Sequence, residues 1–277
     1  MTVNPDDIWR KIKILEGRDK KLIDELRAAL INNIELSKLF VIFKYVKQLI
    51  KENKSIRIFD YGCGGGQLLT YLRVLGYTNL TGIDVKSQEE IDKLNKLHSN
   101  MGFDTCVFYT YNGTSLPFDD SSFDVIISQQ VIEHVHSIEK YFLECERVLS
   151  PTGKILLDFP HRLVPFDTHT RMWFVHYFPI SVRNYFYNKY RNNRASDYRK
   201  TLNLKSMFFY NKLLNNSFST IVNMTSDRIK DFTYRDNYEG NTKLRIFIDK
   251  LVNLPIIGVY LRKVMSTLAN STLIVSK

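Results

Sequence analysis

The sequence predicts an α/β fold in which helices cover both faces of a parallel sheet. Short apolar runs, typical of buried strands, alternate along the chain with longer segments of helical periodicity. A glycine-rich turn, residues 62–66, follows the first of these runs, where a strand must reverse into a helix. The predicted strands are residues 56–60, 80–84, 105–109, 123–128 and 154–159, and the helices between them lie near residues 66–75, 88–99 and 138–148.

Length and composition favour a globular protein of a reducing compartment. The 277 residues, 44% of them apolar, suffice for one large α/β domain with additions. The three cysteines, Cys63, Cys106 and Cys145, are widely spaced and indicate neither a zinc site nor a disulfide framework. The amino-terminal residues lack the apolar core of a signal peptide. The most apolar late stretch, residues 246–261, contains charges and a proline and is too short to span a bilayer. We therefore expect a cytoplasmic protein.

The glycine-rich turn predicts a ligand cradle. Glycines let the backbone approach a bound molecule, and the start of the next helix offers unpaired N–H groups to an anionic end. The dinucleotide pattern G-x-G-x-x-G fails because Gln67 occupies its third glycine position, and the lysine of a phosphate loop is missing. The pattern acidic-x-G-x-G-x-G fits instead, through Asp60, Gly62, Gly64 and Gly66. A tight turn that binds nothing is the alternative.

Further motifs follow in a fixed order. Asp84 ends the second predicted strand, 18 residues beyond Gly66, where an acid can accept hydrogen bonds from both ribose hydroxyls of a nucleoside. The later motifs are Asn112-Gly113 with Leu116-Pro117-Phe118, Ser122-Phe123-Asp124, Gln129-Gln130-Val131-Ile132-Glu133-His134-Val135 and Leu149-Ser150-Pro151-Thr152-Gly153. A series of several motifs in this order is far more specific than any one motif alone.

With these motifs, residues 54–160 resemble the class I, Rossmann-like S-adenosylmethionine-dependent methyltransferases. The resemblance implies a doubly wound, seven-stranded, mostly parallel sheet. Its last strand, residues 272–276, would run antiparallel between the fifth strand and a sixth at residues 218–224. It also implies that S-adenosylmethionine is the cofactor. The residues that it implies for cofactor binding are Asp60, Tyr61, Gly62, Gly64, Gly66, Gln67, Asp84, Asn112, Gly113 and Gln129.

Two positions depart from the family pattern. The family usually has Asp where this chain has Asn112, the residue that meets the adenine amine, and an Asn oxygen can still accept from that amine. Some relatives that act on quinone precursors bind a divalent metal through Glu-x-x-Glu-His. Here the first carboxylate is replaced by Gln130, which weakens a site for a hard cation, so no metal is predicted.

Two histidines are the predicted catalytic residues. His134 follows the fourth strand and His161 follows the fifth, which predicts that both lie at the mouth of the site. Histidine has a suitable pKa for a general base near neutral pH. The alternative for His134 is a purely structural role at the start of a helix. Asp167 and His169, in a segment similar to the lid of bacterial methyltransferases, could assist.

The positive charge is concentrated after the fifth strand. Of the net charge of +10, residues 160–212 supply an excess of eight, from ten basic and two acidic residues, and they are rich in aromatic side chains. This segment is either a helical cap with a solvated basic face or a lid for an acidic or membrane-associated substrate. Residues 243–265 mix apolar and basic residues and either complete the core or join the lid at an anionic membrane.

We therefore predict one methyltransferase domain, residues 1–277. Its parts are a helical amino-terminal extension (1–52), a cofactor-binding core (53–160), a basic aromatic lid (161–215) and a carboxyl-terminal part of the sheet with a helical insertion (216–277). The expected acceptor is a hydroxyl of a small molecule, sugar or lipid-linked intermediate. The alternatives are a nucleic-acid methyltransferase, which lacks support from any RNA-binding motif, and a non-catalytic partner subunit that binds the cofactor.

Overall fold

The computed structural model describes residues 4–33, 40–167, 172–189, 202–231 and 250–277. These residues form a seven-stranded sheet with helices on both faces, and a separate two-stranded ribbon. The strands are β1 (Ile58–Tyr61), β2 (Leu80–Asp84), β3 (Phe108–Thr110), β4 (Phe123–Gln129), β5 (Leu149–Phe159), β6 (Phe166–Asp167), β7 (Met172–Trp173), β8 (Thr220–Asn223) and β9 (Ser271–Ser276). The helices are α1 (Pro5–Ile12), α2 (Lys20–Asn33), α3 (Phe40–Ile50), α4 (Gln67–Val74), α5 (Gln88–Asn100), α6 (Ile138–Val148), α7 (Ile180–Lys189), α8 (Met207–Ser217), α9 (Thr225–Asp231) and α10 (Ile257–Ser266).

The strand order confirms the predicted topology. The order across the sheet is β3-β2-β1-β4-β5-β9-β8. Strands β1 to β5 pair in parallel, and β9 runs antiparallel to both β5 and β8. The order reverses between β1 and β4, where Asp60 lies opposite Gly82 on one side and Ile127 on the other. A crevice forms at such a reversal, beyond the carboxyl ends of the strands.

Alternating residues of the central strand enter two different cores. Ile58 of β1 packs with the amino-terminal helices, α4 and α5, whereas Phe59 and Tyr61 pack with α6 and α8 on the opposite face. This alternation follows from the two-residue period of a strand. The predicted helical extension is confirmed as three helices that pack over the first face.

Some boundaries differ from the predicted ones. Strand β3 begins at Phe108, later than predicted. At its start, Oδ1 of Asn95 on α5 accepts from the N–H groups of Val107 and Phe108, each at 3.1 Å. Strand β5 begins earlier than predicted, at Leu149, which pairs with Phe123 before a register shift. The β6–β7 ribbon was not predicted, since two-residue strands leave no periodic pattern.

The basic aromatic segment is helical where it is described. Helix α7 begins directly after Pro179, and α8 follows after residues 190–201, which lie outside the described residues. The predicted helical insertion of the carboxyl-terminal part is described from residue 250 onward, and α10 begins two residues after Pro255. Within the described ranges, none of the helices combines the length and apolarity that crossing a bilayer requires.

Candidate active site

Three glycines give the turn after β1 its shape. Gly62, Gly64 and Gly66 have φ angles of 82°, 53° and 71°, a region that glycine occupies without steric cost. Space is also restricted at two of them: a Cβ on Gly62 would lie 2.3 Å from Cγ2 of Val131, and one on Gly66 would lie 2.7 Å from Cζ of Phe108. The turn therefore depends on glycine for both its backbone conformation and its packing.

Hydrogen bonds fasten this turn to the end of β2. The N–H groups of Gly62 and Cys63 donate to the oxygen of Ile83 at 2.9 and 3.0 Å. The N–H of Gly64 donates to Oδ2 of Asp84 at 2.8 Å. The two motifs singled out in the sequence, the glycine turn and the acid of the second strand, thus form one unit.

A cleft of about 200 Å³ opens beside this unit. Its lining residues are Trp9, Lys13, Asp60, Gly62, Cys63, Gly65, Gln67, Leu68 and Gln129. A Cβ on Gly64 or Gly65 would meet no atom within 4 Å, so the backbone of the turn borders open space. Gly64 and Gly65 have no side chains, and the carboxylate of Asp84 lies on the neighbouring strand. This arrangement fits a nucleoside cofactor that lies close to the backbone of the turn.

Helix α1 forms a wall of the cleft, and the sequence did not indicate which of its residues line it. Trp9 is buried and Lys13 follows it by one turn, with Nζ 5.6 Å from the indole ring. The helix is held against the glycine turn by Asp6, whose Oδ1 accepts from Nε2 of Gln67 at 2.7 Å and from the hydroxyl of Tyr71 at 2.8 Å. Gln67, predicted to bind the cofactor, thus also anchors this wall.

The start of α1 carried a recognisable signal. Asn4 is an N-cap whose Oδ1 accepts from the N–H of Asp6 at 2.9 Å, and Pro5 occupies the first helical position. These features mark a helix start in the sequence. They do not specify where that helix packs, because the Asp6–Gln67 contact joins positions 61 residues apart.

Asp60 is a buried acid at the base of the cleft. Burial, and then the nearby charge of Asp84, raise the pKa of Asp60 to about 7. Burial also raises the pKa of the Cys63 thiol, so this cysteine remains protonated at neutral pH and is a poor nucleophile. Asp60 therefore changes charge near neutrality at the edge of the predicted cofactor site.

The surroundings of three further predicted cofactor residues are as follows: Tyr61 is packed in a core, the Asn112 oxygen is hydrogen-bonded, and Gly113 is exposed. The side chain of Tyr61 lies in the opposite core, stacked on Tyr141 with ring centroids 4.7 Å apart, so only its backbone borders the glycine turn. Oδ1 of Asn112 accepts from both the N–H and the hydroxyl of Thr114, at 3.0 and 2.7 Å, so one of these must be released before it can accept from an adenine amine. Gly113 is exposed, with a φ of 80°.

His134 lies at the carboxyl end of β4, as predicted. It ends a short 3₁₀ turn, residues 132–134, and its side chain is 28% exposed. Its Nε2 lies 3.9 Å from Oε1 of Glu133, whose side chain is fully buried. Position and exposure leave His134 accessible from the edge of the sheet, and its catalytic role stays a prediction.

His161 is not at the mouth of the site, contrary to the prediction. Its ring is completely buried, and Nδ1 accepts from the N–H of Leu163 at 3.3 Å. Burial lowers the pKa of His161, an effect partly offset by the backbone oxygen of Ala269. The chain turns inward after β5, so a position two residues beyond a strand end did not guarantee exposure. A catalytic role for His161 stays a prediction, and a structural role explains its surroundings.

The remaining predicted residues of the lid are distributed differently. Asp167 is buried against His176, with Oδ2 3.4 Å from Nε2, and neither side chain lines the cofactor cleft. His169 lies outside the described residues.

The position where some relatives have a metal-binding glutamate is occupied by Gln130. Its Nε2 donates to Oδ2 of Asp158, near the end of β5, at 3.3 Å. Among the described residues, no group of three or more His, Cys, Asp and Glu side chains could hold a metal ion.

The comparisons with known proteins agree with this geometry. A methyltransferase domain family matches residues 59–157, which contain the glycine turn, Asp84 and His134. Over 104 residues the chain is 31% identical to a ubiquinone biosynthesis O-methyltransferase of Chelativorans sp., covering 37% of this chain and 40% of that protein. Over 114 residues it is 27% identical to the sterol 4-C-methyltransferase strm-1 of Caenorhabditis elegans, covering 41% of this chain and 34% of that protein.

A solved structure has the same fold over most of the chain. The S-adenosylmethionine-dependent methyltransferase from Mesorhizobium loti superposes with a TM-score of 0.50 at 16% identity, covering 85% of this chain and 96% of that one. The chain thus contains a class I S-adenosylmethionine-dependent methyltransferase domain. The chain spans well under two thirds of the length of the two curated relatives.

Proposed function

We propose that this protein transfers a methyl group from S-adenosylmethionine to a hydroxyl of a small molecule, sugar or lipid-linked intermediate. The observation that carries the proposal is the joint unit of Gly64 and Asp84 beside an open cleft. Asp84 retains Oδ1 for a ribose hydroxyl while Oδ2 accepts from Gly64. The relatives named as O- and C-methyltransferases support the reaction class and leave the acceptor open.

The residues of the chain would act mainly by binding and orientation. When bound, the cofactor supplies an electrophilic methyl group on a sulfonium. The glycine turn brings its own backbone close to the cofactor, and Trp9 and Lys13 of α1 close the opposite side. Alignment of an acceptor with such a group contributes much of the acceleration in a displacement reaction. Gln129, at the end of β4, borders the cleft on the side of His134.

His134 is the proposed general base. A hydroxyl must lose a proton as it is methylated, and a partly exposed imidazole at the edge of the sheet can accept it. Glu133, 3.9 Å away, would stabilise the imidazolium that forms. His161 is buried and would position the chain after β5 instead of touching the acceptor.

We also propose a cytoplasmic protein in peripheral contact with an anionic membrane. The described parts of the lid and of the carboxyl-terminal region expose large apolar side chains, among them Trp173, Tyr185, Ile256 and Tyr260. Basic residues lie in the same segments, and each contributes about 1 kcal/mol near an anionic surface. This arrangement supports an acceptor that is itself carried by a lipid.

A direct measurement tests the proposed reaction. The protein is incubated with methyl-labelled S-adenosylmethionine and pools of phenolic, sugar and lipid-linked hydroxyl compounds, and transfer of the label is followed by mass spectrometry. We expect label in one acceptor class and none with Asp84→Ala. Failure to bind S-adenosylhomocysteine would overturn the cofactor assignment. Binding without transfer to any acceptor would favour the non-catalytic partner subunit.

A further inference from the structure

A second cavity, of about 440 Å³, lies within the lid, beside α7 and the start of α8. Its lining residues are Arg162, Arg183, Leu202, Asn203, Leu204, Lys205, Ser206 and Phe209. Three of them are cationic and none is acidic. We call this cavity the basic pocket.

The three cations of the basic pocket lack counter-charges within the described part of the chain. The ion pairs found there do not include Arg162, Arg183 or Lys205. Nε of Arg183 is buried and makes no hydrogen bond with the described residues. Nζ of Lys205 lies 5.7 Å from the centre of the Phe209 ring. Buried donors are normally satisfied, and like charges repel, so this arrangement favours a bound anion.

A backbone hydrogen bond joins the segments that carry two of these cations. The N–H of Arg162 donates to the oxygen of Lys205 at 3.0 Å, which joins the end of β5 to the start of α8. Ser206 begins α8 as its N-cap, so the positive end of an 11-residue helix also faces this region. The segments that carry Arg162 and Lys205 are therefore held together at one site, beside the start of α8.

The basic pocket adjoins the proposed active site. The N–H of Asn203, which lines the pocket, donates to the backbone oxygen of Glu133 at 2.6 Å. Glu133 directly precedes His134, the proposed base. An acceptor anchored in the basic pocket by one end could thus present its other end to the edge of the sheet beside β4.

We propose that the basic pocket binds a phosphate or diphosphate group of the methyl acceptor, an inference that rests on the proposed function. Arginine side chains match phosphate oxygens in paired hydrogen bonds. A single carboxylate would neutralise only one of the three cations, whereas a diphosphate ester carries enough charge for all of them. The chemistry of the site selects a phosphorylated acceptor.

Helix α7 also contributes to a separate apolar cavity. Met172, Trp173, Val175, Phe178 and Phe186 line a cavity of about 220 Å³. Phe186 lies three residues after Arg183 on α7, and residues at this spacing share a helix face. An alkyl or isoprenoid chain attached to the phosphate would find its apolar contacts here, which distinguishes a lipid phosphate from a water-soluble one.

Calorimetric titration of the whole protein with inorganic pyrophosphate tests the basic pocket. We expect the wild-type protein to bind pyrophosphate. The dissociation constant should be at least tenfold larger in both Arg162→Gln and Arg183→Gln. Lys212→Gln, an exposed cation of α8 outside the pocket, removes the same charge and should bind like the wild type. Arg162 is exposed, so its variant provides the test if Arg183→Gln does not fold.

The outcomes separate this inference from the proposed function. Two results would overturn the proposal that the basic pocket binds phosphate: no binding of pyrophosphate at millimolar concentration, or an equal loss of affinity in Lys212→Gln. Titration with S-adenosylhomocysteine is run on the same proteins: if it fails while pyrophosphate binds, the methyltransferase proposal fails and the pocket stands. A further titration with decyl diphosphate then shows whether the phosphate group belongs to a lipid or to a water-soluble molecule. Tighter binding that Phe186→Ala abolishes indicates a lipid phosphate, and equal binding indicates a water-soluble one.

Discussion

The N–H of Gly64 and Oδ2 of Asp84 are joined by a hydrogen bond of 2.8 Å. This contact links the glycine turn after β1 to the acid that ends β2, across two neighbouring parallel strands. The carboxylate is thereby fixed in orientation before any ligand arrives. A site that is oriented in advance loses less conformational freedom on binding, which favours affinity.

Replacement of Asp84 should weaken cofactor binding strongly. Asp84→Ala removes the ribose contact and also releases the N–H of Gly64, so we expect a loss on the order of 2–4 kcal/mol in binding of S-adenosylhomocysteine by titration calorimetry. Glu89→Ala, an exposed acid at the start of α5, is the matched control and should bind normally. Equal affinity in Asp84→Ala and the wild type would show that the cofactor binds elsewhere.

The two predicted catalytic histidines should give different phenotypes. His134→Ala should lower kcat by about 10²–10⁴ and leave the affinity for S-adenosylhomocysteine nearly intact, as loss of a general base does. His161→Ala empties a buried site, so it should chiefly lower the midpoint of thermal unfolding. A full loss of kcat in a stable His161→Ala protein would restore that residue as the base.

The sequence predicted the parts of the site that are local in the chain. The glycine turn and Asp84 each belong to one strand end, and parallel topology brings such ends together. The contact between Thr114 and Oδ1 of Asn112 is local, two residues along the chain, and was not anticipated. The surroundings of His161 include Ala269, which is distant in the chain, so no short motif encodes them. Trp9 and Lys13 were missed for the same reason, since their place in the cleft comes from packing between distant segments.

Lys13 should contribute to the affinity for the cofactor. It lines the cleft, and it is the one cation among the described lining residues, so it offers a positive charge to the carboxylate of S-adenosylhomocysteine. We expect Lys13→Gln to weaken binding about threefold to tenfold, as for an exposed ion pair of about 1 kcal/mol. Lys11→Gln, on the same helix but outside the cleft, is the control. A similar loss in both variants would indicate a general charge effect.

Membrane contact should depend on the exposed face of α10. Ile256, Tyr260 and Val264 recur at four-residue spacing, and each is more than half exposed. We expect the wild-type protein to co-sediment with anionic vesicles at low salt and to dissociate as salt is added. Replacing all three by Ser should abolish this binding, while Ile31→Ser, equally exposed on α2, should not. If the wild-type protein does not bind vesicles at low salt, the positive charge of the lid serves an acidic substrate and not a membrane.

The buried carboxyl of Asp60 should make stability decrease as pH rises towards alkaline values. Its folded pKa of about 7 exceeds the ordinary value of about 4. Between these values the folded state keeps a proton that the unfolded chain releases, so the stabilisation is complete below pH 4 and is lost as pH rises through 7. Relative to Asp60→Asn, the wild-type free energy of unfolding should fall by about 2–3 kcal/mol between pH 5 and pH 8, as measured by urea denaturation.

Asp124 provides the opposite case within the same sheet. Hydrogen bonds from Arg57 hold the pKa of Asp124 below its usual range, so its contribution is present above pH 4 and is lost only in acid. Asp124→Asn should therefore shift the unfolding free energy by a constant amount between pH 5 and pH 8. If the wild-type and Asp60→Asn profiles run parallel over this interval, Asp60 is ionised in the folded protein, and the neighbouring Gly64–Asp84 unit coexists with a second negative charge.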